Sequence, residues 1–418
     1  MNKTDKIYQE NSYLTTLEAK VINCTKKNNI YELILNKTIF YPHMAGGQPK
    51  DIGTINGVEI LNVFEKNNKI IHEIKEPLQG NVLLSIDFTV RFDHMQQHTG
   101  QHLLSYAFDK LYNGKTVGFH ISKEYTTIDI DINITDTMAN ETENFANDII
   151  YKNKEITFST LNYNDAIKRN LRKEPPKLNN LRIVNIANIE ATACGGTHVN
   201  ATGEVGIIKI VKLEKYKSGT RVYFLCGKRA LNDYNNKTKE LLEISTTLTC
   251  GTELIKDTIN KLKAENKNYT KVITSLSNEL NLYKAKELKT KYVKKNNINF
   301  IFEYLDNTNI KDLRFICSKI IEDENYVLVI VSETDENCNI VIGQSNNMSY
   351  DLRVVFEECK NFINAKGGGN NKLILYMSLC LWYLDIANDL FVKLPRFFDY
   401  VSYMKYIFYF NFSINFSS

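Results

Sequence analysis

At 418 residues the chain exceeds the size at which a single hydrophobic core keeps growing, so it divides into roughly two to four domains. Hydrophobic residues make up 43% and charged residues 24% of it, an ordinary globular balance that excludes wholesale disorder. The formal net charge is only +4, from 52 Lys and Arg against 48 Asp and Glu, which excludes nucleic-acid binding through bulk charge and leaves that task to local basic patches.

The start, Met1-Asn2-Lys3-Thr4-Asp5-Lys6, carries no apolar stretch resembling a signal peptide, which predicts a cytoplasmic protein with reduced thiols. From 15 to 87 short alternating runs such as Tyr31-Glu32-Leu33-Ile34-Leu35 and Val58-Glu59-Ile60-Leu61-Asn62-Val63 lie between turn-rich stretches at Gly46-Gly47-Gln48-Pro49, Asn56-Gly57 and Lys66-Asn67-Asn68. Period-two alternation between turns predicts a small antiparallel sheet or barrel. Beyond Arg91, residues 98–111 place Leu103, Leu104, Ala107, Phe108 and Leu111 at helical spacing and stop at Asn113-Gly114, which predicts a buried helix. A strand over 126–132, a helix over 136–151 and strands over 155–159, 181–186, 204–213 and 220–226 follow, a mixed order that predicts an α+β domain.

From 228 to about 295 the pattern is helical. Ile255, Ile259, Leu262, Tyr269, Ile273, Leu276, Leu280 and Tyr283 follow alternating steps of four and three, broken only by Asn266. That is a coiled-coil seam, either of a dimerising arm or of an intramolecular helical hairpin. Strand and helix alternate again over 298–366, with Tyr326-Val327-Leu328-Val329-Ile330-Val331 a buried strand. The tail is very aromatic, and its apolar run over 373–384 is too short to cross a bilayer, so no membrane partner is expected. The expected organisation is thus an α+β multidomain chain: a β-barrel domain over 1–90, an α+β domain over 91–228, a helical coiled-coil arm over 229–296 and an α/β domain over 297–418 that turns atypical after 373.

All seven histidines (43, 72, 94, 98, 102, 120 and 198) fall in the front half, and the eight cysteines include no Cys-x-x-Cys pair that would fit a zinc ribbon. His98-Thr99-Gly100-Gln101-His102 sets two imidazoles one helical turn apart on one face. Cys194-Gly195-Gly196-Thr197-His198 sets a thiolate and an imidazole across two glycines, which let the backbone turn sharply. Thiolate and imidazole ligands in a reducing compartment favour zinc, one ion held by His98, His102, Cys194 and His198. Four ligands suit a structural site, whereas catalysis requires a loosely held ligand or a fifth position. A metallopeptidase requires Glu directly after the first His of such a pair; Thr99 stands there, which excludes that chemistry.

Arg91-Phe92-Asp93-His94-Met95-Gln96-Gln97-His98-Thr99-Gly100-Gln101-His102-Leu103-Leu104 and Ala193-Cys194-Gly195-Gly196-Thr197-His198-Val199 resemble the two signatures of the alanyl-tRNA synthetase editing domain. Tyr41-Pro42-His43-Met44-Ala45-Gly46-Gly47-Gln48-Pro49-Lys50-Asp51-Ile52-Gly53 resembles the glycine motif of that group, with His43-Met44-Ala45 replacing the more usual acidic and glycine residues. With no adenylating core in front, the chain is similar to the free-standing AlaX editing proteins of the long form. The coiled coil followed by Lys366-Gly367-Gly368-Gly369 looks like the DHH-associated carboxyl-terminal domain, although the aromatic tail departs from it, as a frame change near 373 would explain.

The resemblance implies trans-editing: hydrolysis of the ester joining a wrong amino acid, chiefly serine and also glycine, to tRNA specific for alanine, with zinc as cofactor, mischarged tRNA as partner and a homodimer through the coiled coil. A hydrolytic second site fits the physics, because a synthetase pocket rejects a similar-sized competitor poorly by binding alone. By the same resemblance Thr99 orients the attacking water or, alternatively, is an internal helix hydroxyl. Gly46, Gly47 and Gln48 flank the substrate unless they form a plain hairpin turn. His120 approaches the pocket, and Arg169, Arg172, Lys217 and Arg221 belong to basic clusters that contact tRNA phosphates or form solvated faces. The alternatives are a non-catalytic zinc-stabilised tRNA-binding protein and a zinc hydrolase of another ester.

Overall fold

The computed structural model describes residues 3–43, 47–169, 171–186, 189–333, 337–348, 351–353 and 366–379. Its backbone separates into two units, Met1–Thr252 and Glu253–Ser418. The strand-rich front and the mixed α+β part belong to the same unit, together with the beginning of the expected arm.

In the first unit the strands are β1 (Asp5–Lys6), β2 (Thr16–Lys27), β3 (Ile30–Leu35), β4 (Lys37–Thr38), β5 (Gly53–Ile55), β6 (Val58–Lys66), β7 (Lys69–Ile74) and β8 (Asn81–Ile86), with a short helix α1 (Ile7–Glu10). Six of these strands close into a barrel in the order β2-β3-β7-β6-β5-β8, and β1 pairs in parallel with β4. Alternation builds its core: Val82, Leu84 and Ile86 on β8 face inward while Leu83 is 49% exposed. Leu33, Leu35, Ile55, Val63 and Ile70 complete the interior, each apolar side chain contributing about 1.5–3 kcal/mol on burial.

A histidine is buried with the barrel core. His72 is fully buried, bonded to Thr38 Oγ1 at 2.9 Å and Leu33 O at 3.3 Å, and burial pushes its imidazole down to about 4. Because the unfolded chain takes up this proton more readily, the stabilising contribution of a neutral His72 is fully present above pH ~6.5 and drains away as pH falls toward 4, by at most about 3 kcal/mol. Urea denaturation at pH 7 and at pH 5 should therefore show a steeper loss for the parent than for His72→Gln.

After the barrel come α2 (Phe88–Tyr112), β9 (Thr116–Ile121), β10 (Thr126–Ile130), α3 (Asp136–Tyr151), β11 (Ile156–Leu161), α4 (Tyr163–Ala166), β12 (Leu181–Ile186), β13 (Glu190–Ala193), β14 (Ile208–Tyr216), β15 (Gly219–Cys226) and α5 (Gly227–Leu248). They form an antiparallel sheet β14-β15-β10-β9 and a smaller one, β11-β12-β13. Helix α2 begins at Phe88 rather than near 98: the Asp87 carboxylate accepts from the backbone N–H groups of Thr89 (2.9 Å) and Val90 (3.3 Å) and caps it. It ends where Asn113 adopts a left-handed φ of 54°. Its buried face includes Arg91, His94, Gln96, Gln97, His98 and Gln101, so the hydropathy pattern fades just where the helix starts. Strands β9 and β13 are likewise absent from the sequence-based expectation.

Helix α2 is bound to the barrel by Arg91, which is wholly buried. Its guanidinium pairs with Asp51 through Nε–Oδ1 (2.9 Å) and Nη2–Oδ2, and donates to Ser12 O (2.8 Å) and Ile39 O (2.6 Å). Asp51 also accepts from the Tyr41 N–H at 2.6 Å, so helix, barrel and amino-terminal segment meet in one charge-paired network.

The second unit contains α6 (Ile255–Leu288), β16 (Val293–Lys295), β17 (Ile298–Tyr304), α7 (Ile310–Ile320), β18 (Tyr326–Glu333), β19 (Asn337–Gln344), β20 (Lys366–Gly369) and β21 (Leu373–Leu379), with sheet order β16-β17-β18-β19-β21-β20. Helix α7 crosses over between the parallel strands β17 and β18. Ala285 and Leu288 of α6 join the core of α7, and the Asn281 amide donates to Asp312 Oδ1 at 2.8 Å. The seam residues Ile259, Leu262, Tyr269, Ile273, Leu276, Leu280 and Tyr283 are exposed on α6. Residues 373–379 pair antiparallel with β19 from Gly343↔Leu373 onward, so the fold continues past the point where an atypical tail is expected; 380–418 lie outside the described residues. Among the described residues no helix is long and apolar enough to cross a membrane.

Candidate metal centre

Helix α2 presents His98 and His102 on one face, and the loop leaving β13 presents Cys194 and His198 toward them. The ligand atoms of these four residues all lie within 4.8 Å of one another, and three of the four side chains are buried. Cys194 Sγ is 3.3 Å from His98 Nε2 and 3.4 Å from His198 Nε2. Ring centroids are 4.5 Å apart for His98 and His198, 4.9 Å for His102 and His198, and 5.4 Å for His98 and His102.

Each imidazole has its other nitrogen held from behind. His98 Nδ1 donates to Gln48 Oε1 at 2.8 Å, His198 Nδ1 to Thr99 Oγ1 at 3.2 Å, and His102 Nδ1 to Glu190 Oε1 at 3.4 Å. Fixing the Nδ1 proton outward leaves the Nε2 lone pairs facing the cluster, the arrangement that metal-ligating histidines use. Burial pushes the Cys194 thiol up, but the neighbouring His98 and His198 imidazoles and hydrogen bonding within the cluster outweigh it and hold the group well below the ordinary thiol range. The Gly196 N–H also donates to Cys194 Sγ at 3.4 Å. Burial, with the neighbouring His98 imidazole, holds His198 down to about 3, a neutral imidazole. At His102 burial is outweighed by the Glu190 carboxylate and the group rises to about 9. Thiolate and imidazoles at this spacing fit a tetrahedral N/S site.

The glycines act differently from the turn role that the sequence implies. Neither Gly195 nor Gly196 has a positive φ. A Cβ on Gly196 would lie 2.1 Å from His98 Cε1, so this position is bare because the ring occupies the space. Gly47 does need its freedom: φ is +83°, and a Cβ would lie 2.8 Å from Phe119 Cδ1.

Gln48 bridges barrel and centre. Besides His98, its Oε1 accepts from the Thr197 N–H (3.1 Å) and its Nε2 donates to Thr197 Oγ1 (2.8 Å). It is fully buried and supports the ligands rather than lining an open pocket. Gly46 lies outside the described residues. Thr99 is fully buried, and its hydroxyl accepts from the Val199 N–H (3.3 Å) as well as from His198. Strand alternation turns His120 outward, beside Thr127, and points Phe119 the other way, its ring 5.2 Å from that of His98.

The basic residues separate into two groups. Arg169 and Lys217 are exposed, and Arg221 is 31% exposed but paired with Asp129 at 2.7 and 2.9 Å. Arg172, by contrast, is 12% exposed and donates through Nε to Glu190 Oε1 at 2.6 Å. Arg182 holds the ligand loop, donating to Cys194 O (3.1 Å) and Gly196 O (2.9 Å) with its guanidinium 4.1 Å above the Phe158 ring. Sequence reasoning missed Glu190; with β13 recognised, two-residue alternation through Thr192 would have set it on the face of Cys194.

Comparison with known proteins gives a consistent picture. The family described as threonyl and alanyl tRNA synthetase second additional domain matches residues 181–223. Alanyl-tRNA editing protein AlaX-L of Pyrococcus horikoshii is 30% identical over 382 residues, which cover 88% of this chain and 93% of that protein. Alanyl-tRNA editing protein Aarsd1-A of Xenopus laevis is 30% identical over 302 residues, 68% of this chain and 73% of that one. The alanine–tRNA ligase of Pyrococcus furiosus is 29% identical over 350 residues, but the match spans only 37% of the ligase.

Proposed function

Since the chain belongs to the family of alanyl-tRNA editing proteins, we propose that it acts in trans on mischarged tRNA specific for alanine, hydrolysing the ester to a wrong amino acid, serine first and glycine second. The observation that carries this reading is the convergence of His98, His102, Cys194 and His198. We assign zinc to the four donors; when bound, it polarises an ester carbonyl and lowers the pKa of water.

The chain's own residues supply the rest. Gln48 and Thr99 hold His98 and His198 in the tautomer that faces the cluster, which makes Thr99 a positioning residue in place of a water-orienting hydroxyl. Phe119, packed on His98, covers one side of the centre and restricts water there. Gly47 keeps the barrel loop tight against β9 through the Ile121 N–H to Gly47 O bond of 3.2 Å. Arg169, Lys217 and Arg221 offer charge to tRNA phosphates, and the exposed seam of α6 fits a homodimer contact. In this reading 1–90 is the glycine-motif barrel domain, 91–228 the editing domain, 229–296 the arm and 297–418 the DHH-associated domain.

The test is hydrolysis of serine-charged and alanine-charged tRNA specific for alanine by zinc-loaded protein, with a His98→Ala, Cys194→Ala control. Serine should be released much faster than alanine, and the control should be inert. An intact zinc protein that releases neither amino acid would mark a structural centre, and one that cleaves simple esters lacking tRNA would mark another hydrolase. Thr99→Ala should weaken zinc retention about 10-fold along with activity; lost hydrolysis with unchanged zinc retention would restore Thr99 to the chemistry.

A further inference from the structure

Three imidazoles converge on the centre, but their supports differ in kind: Gln48 and Thr99 are neutral, whereas His102 leans on a carboxylate. Glu190 has a side chain only 1% exposed. A buried carboxylate costs several kcal/mol unless it is paired, so its partners show what it is kept for. All of them meet on one oxygen: Oε1 accepts from Arg172 Nε at 2.6 Å, from the Thr192 hydroxyl at 3.0 Å and from His102 Nδ1 at 3.4 Å. Oε2 has no hydrogen-bond partner among the described residues. The hydrogen bonding of the carboxylate is thus concentrated on the oxygen that faces the ligand.

Arg172 is fixed to the same strand a second time, its backbone N–H donating to Ala191 O at 3.0 Å. An arginine that serves tRNA phosphates needs a free guanidinium. This one is half-buried with its Nε on Glu190, while Lys173 and Arg169 beside it are exposed.

We propose that Arg172 and Glu190 form a positioning pair for His102, in which Arg172 offsets and orients the buried carboxylate and Glu190 fixes the imidazole so that Nε2 faces the metal. The inference rests on the metal-centre reading above and is independent of the substrate. Partners of this kind set ligand orientation and basicity, and their loss costs about 10–100-fold in metal affinity.

The experiment is competition for zinc between the full-length protein and a chromophoric chelator, without tRNA, for the parent, Glu190→Gln, Glu190→Ala, Arg172→Met and Lys173→Ala. Zinc affinity should fall about 10–100-fold in Glu190→Ala and about 10-fold in Arg172→Met, and stay at the parent value in Lys173→Ala. Glu190→Gln keeps the shape and removes the charge, so it remains informative if Arg172→Met fails to fold; its cobalt-substituted form should show a shifted visible spectrum. Parent-like zinc affinity in both Glu190 variants overturns the pairing. So does an Arg172→Met protein that binds zinc normally but loses about one unit of salt slope in tRNA binding, the mark of a phosphate contact. A parent that takes up no zinc overturns the metal reading itself, and this inference with it.

Discussion

Gly196→Ala is expected to lose about 100-fold in ester hydrolysis although it adds only a single methyl group. The new Cβ would stand 2.1 Å from His98 Cε1, well inside contact distance, and the other groups beside the ring leave it little space to move into. His98 is bonded to Gln48 at 2.8 Å and packs on Phe119 and His198. Relief therefore comes from displacing the ring or the loop by about 1 Å, and a misplacement of that size costs on the order of 100-fold in rate. Zinc retention, measured by chelator competition, should fall in parallel. Gly195→Ala is the matched control: its Cβ would lie 3.4 Å from Gln9 Nε2, the end of a flexible side chain, so it should behave nearly as the parent does. Equal losses in the two variants would mean that the loop needs glycine for backbone freedom and not for the approach of His98.

Arg91→Met should destabilise the first unit by about 3–5 kcal/mol, the usual consequence of leaving one member of a buried ion pair alone. Asp51 would keep its Tyr41 N–H bond but lose both guanidinium contacts, and Ser12 O and Ile39 O would lose theirs. Equilibrium urea denaturation followed by a probe in the first unit measures the loss. The double variant Arg91→Met, Asp51→Leu removes both charges and should recover much of it, since an apolar pair of similar volume is often as stable as the ions it replaces. A loss below 1 kcal/mol in Arg91→Met would show that water reaches the network, contrary to the complete burial of both side chains.

Much of the centre was legible before any fold was known, because its ligands come in two local pairs. His98 and His102 are one helical turn apart, and Cys194 and His198 share one short loop, so the spacing of each pair already says that both side chains can reach one point. The strand-rich front was equally legible, since alternation such as that of Val58, Glu59 and Ile60 is a local property of a half-buried strand. Helix α2 was less so: its first turns bury Arg91, His94, Gln96 and Gln97, and a buried polar face leaves no hydropathy signal. Sequence reasoning placed His120 near the pocket without a strand at 116–121; in the structure Phe119, on the other face of that strand, is the neighbour of His98, and the register that sets the face comes from the partner strand β10.

The sequence by itself picked out the four residues that cluster, the barrel-then-mixed order of the first unit and the family to which the chain belongs. Tertiary structure alone decided that Gln48, Thr99 and Glu190 stand behind the three histidines, that the half-buried Arg172 pairs with Glu190, and that Gly196 is bare to admit His98. Each of those facts depends on segments distant along the chain, such as Gln48 and His98, separated by 50 residues and brought to 2.8 Å. Spacing within one element carries no information about which remote side chain will supply the second hydrogen bond; only the packing of barrel, helix and strand around a shared core does.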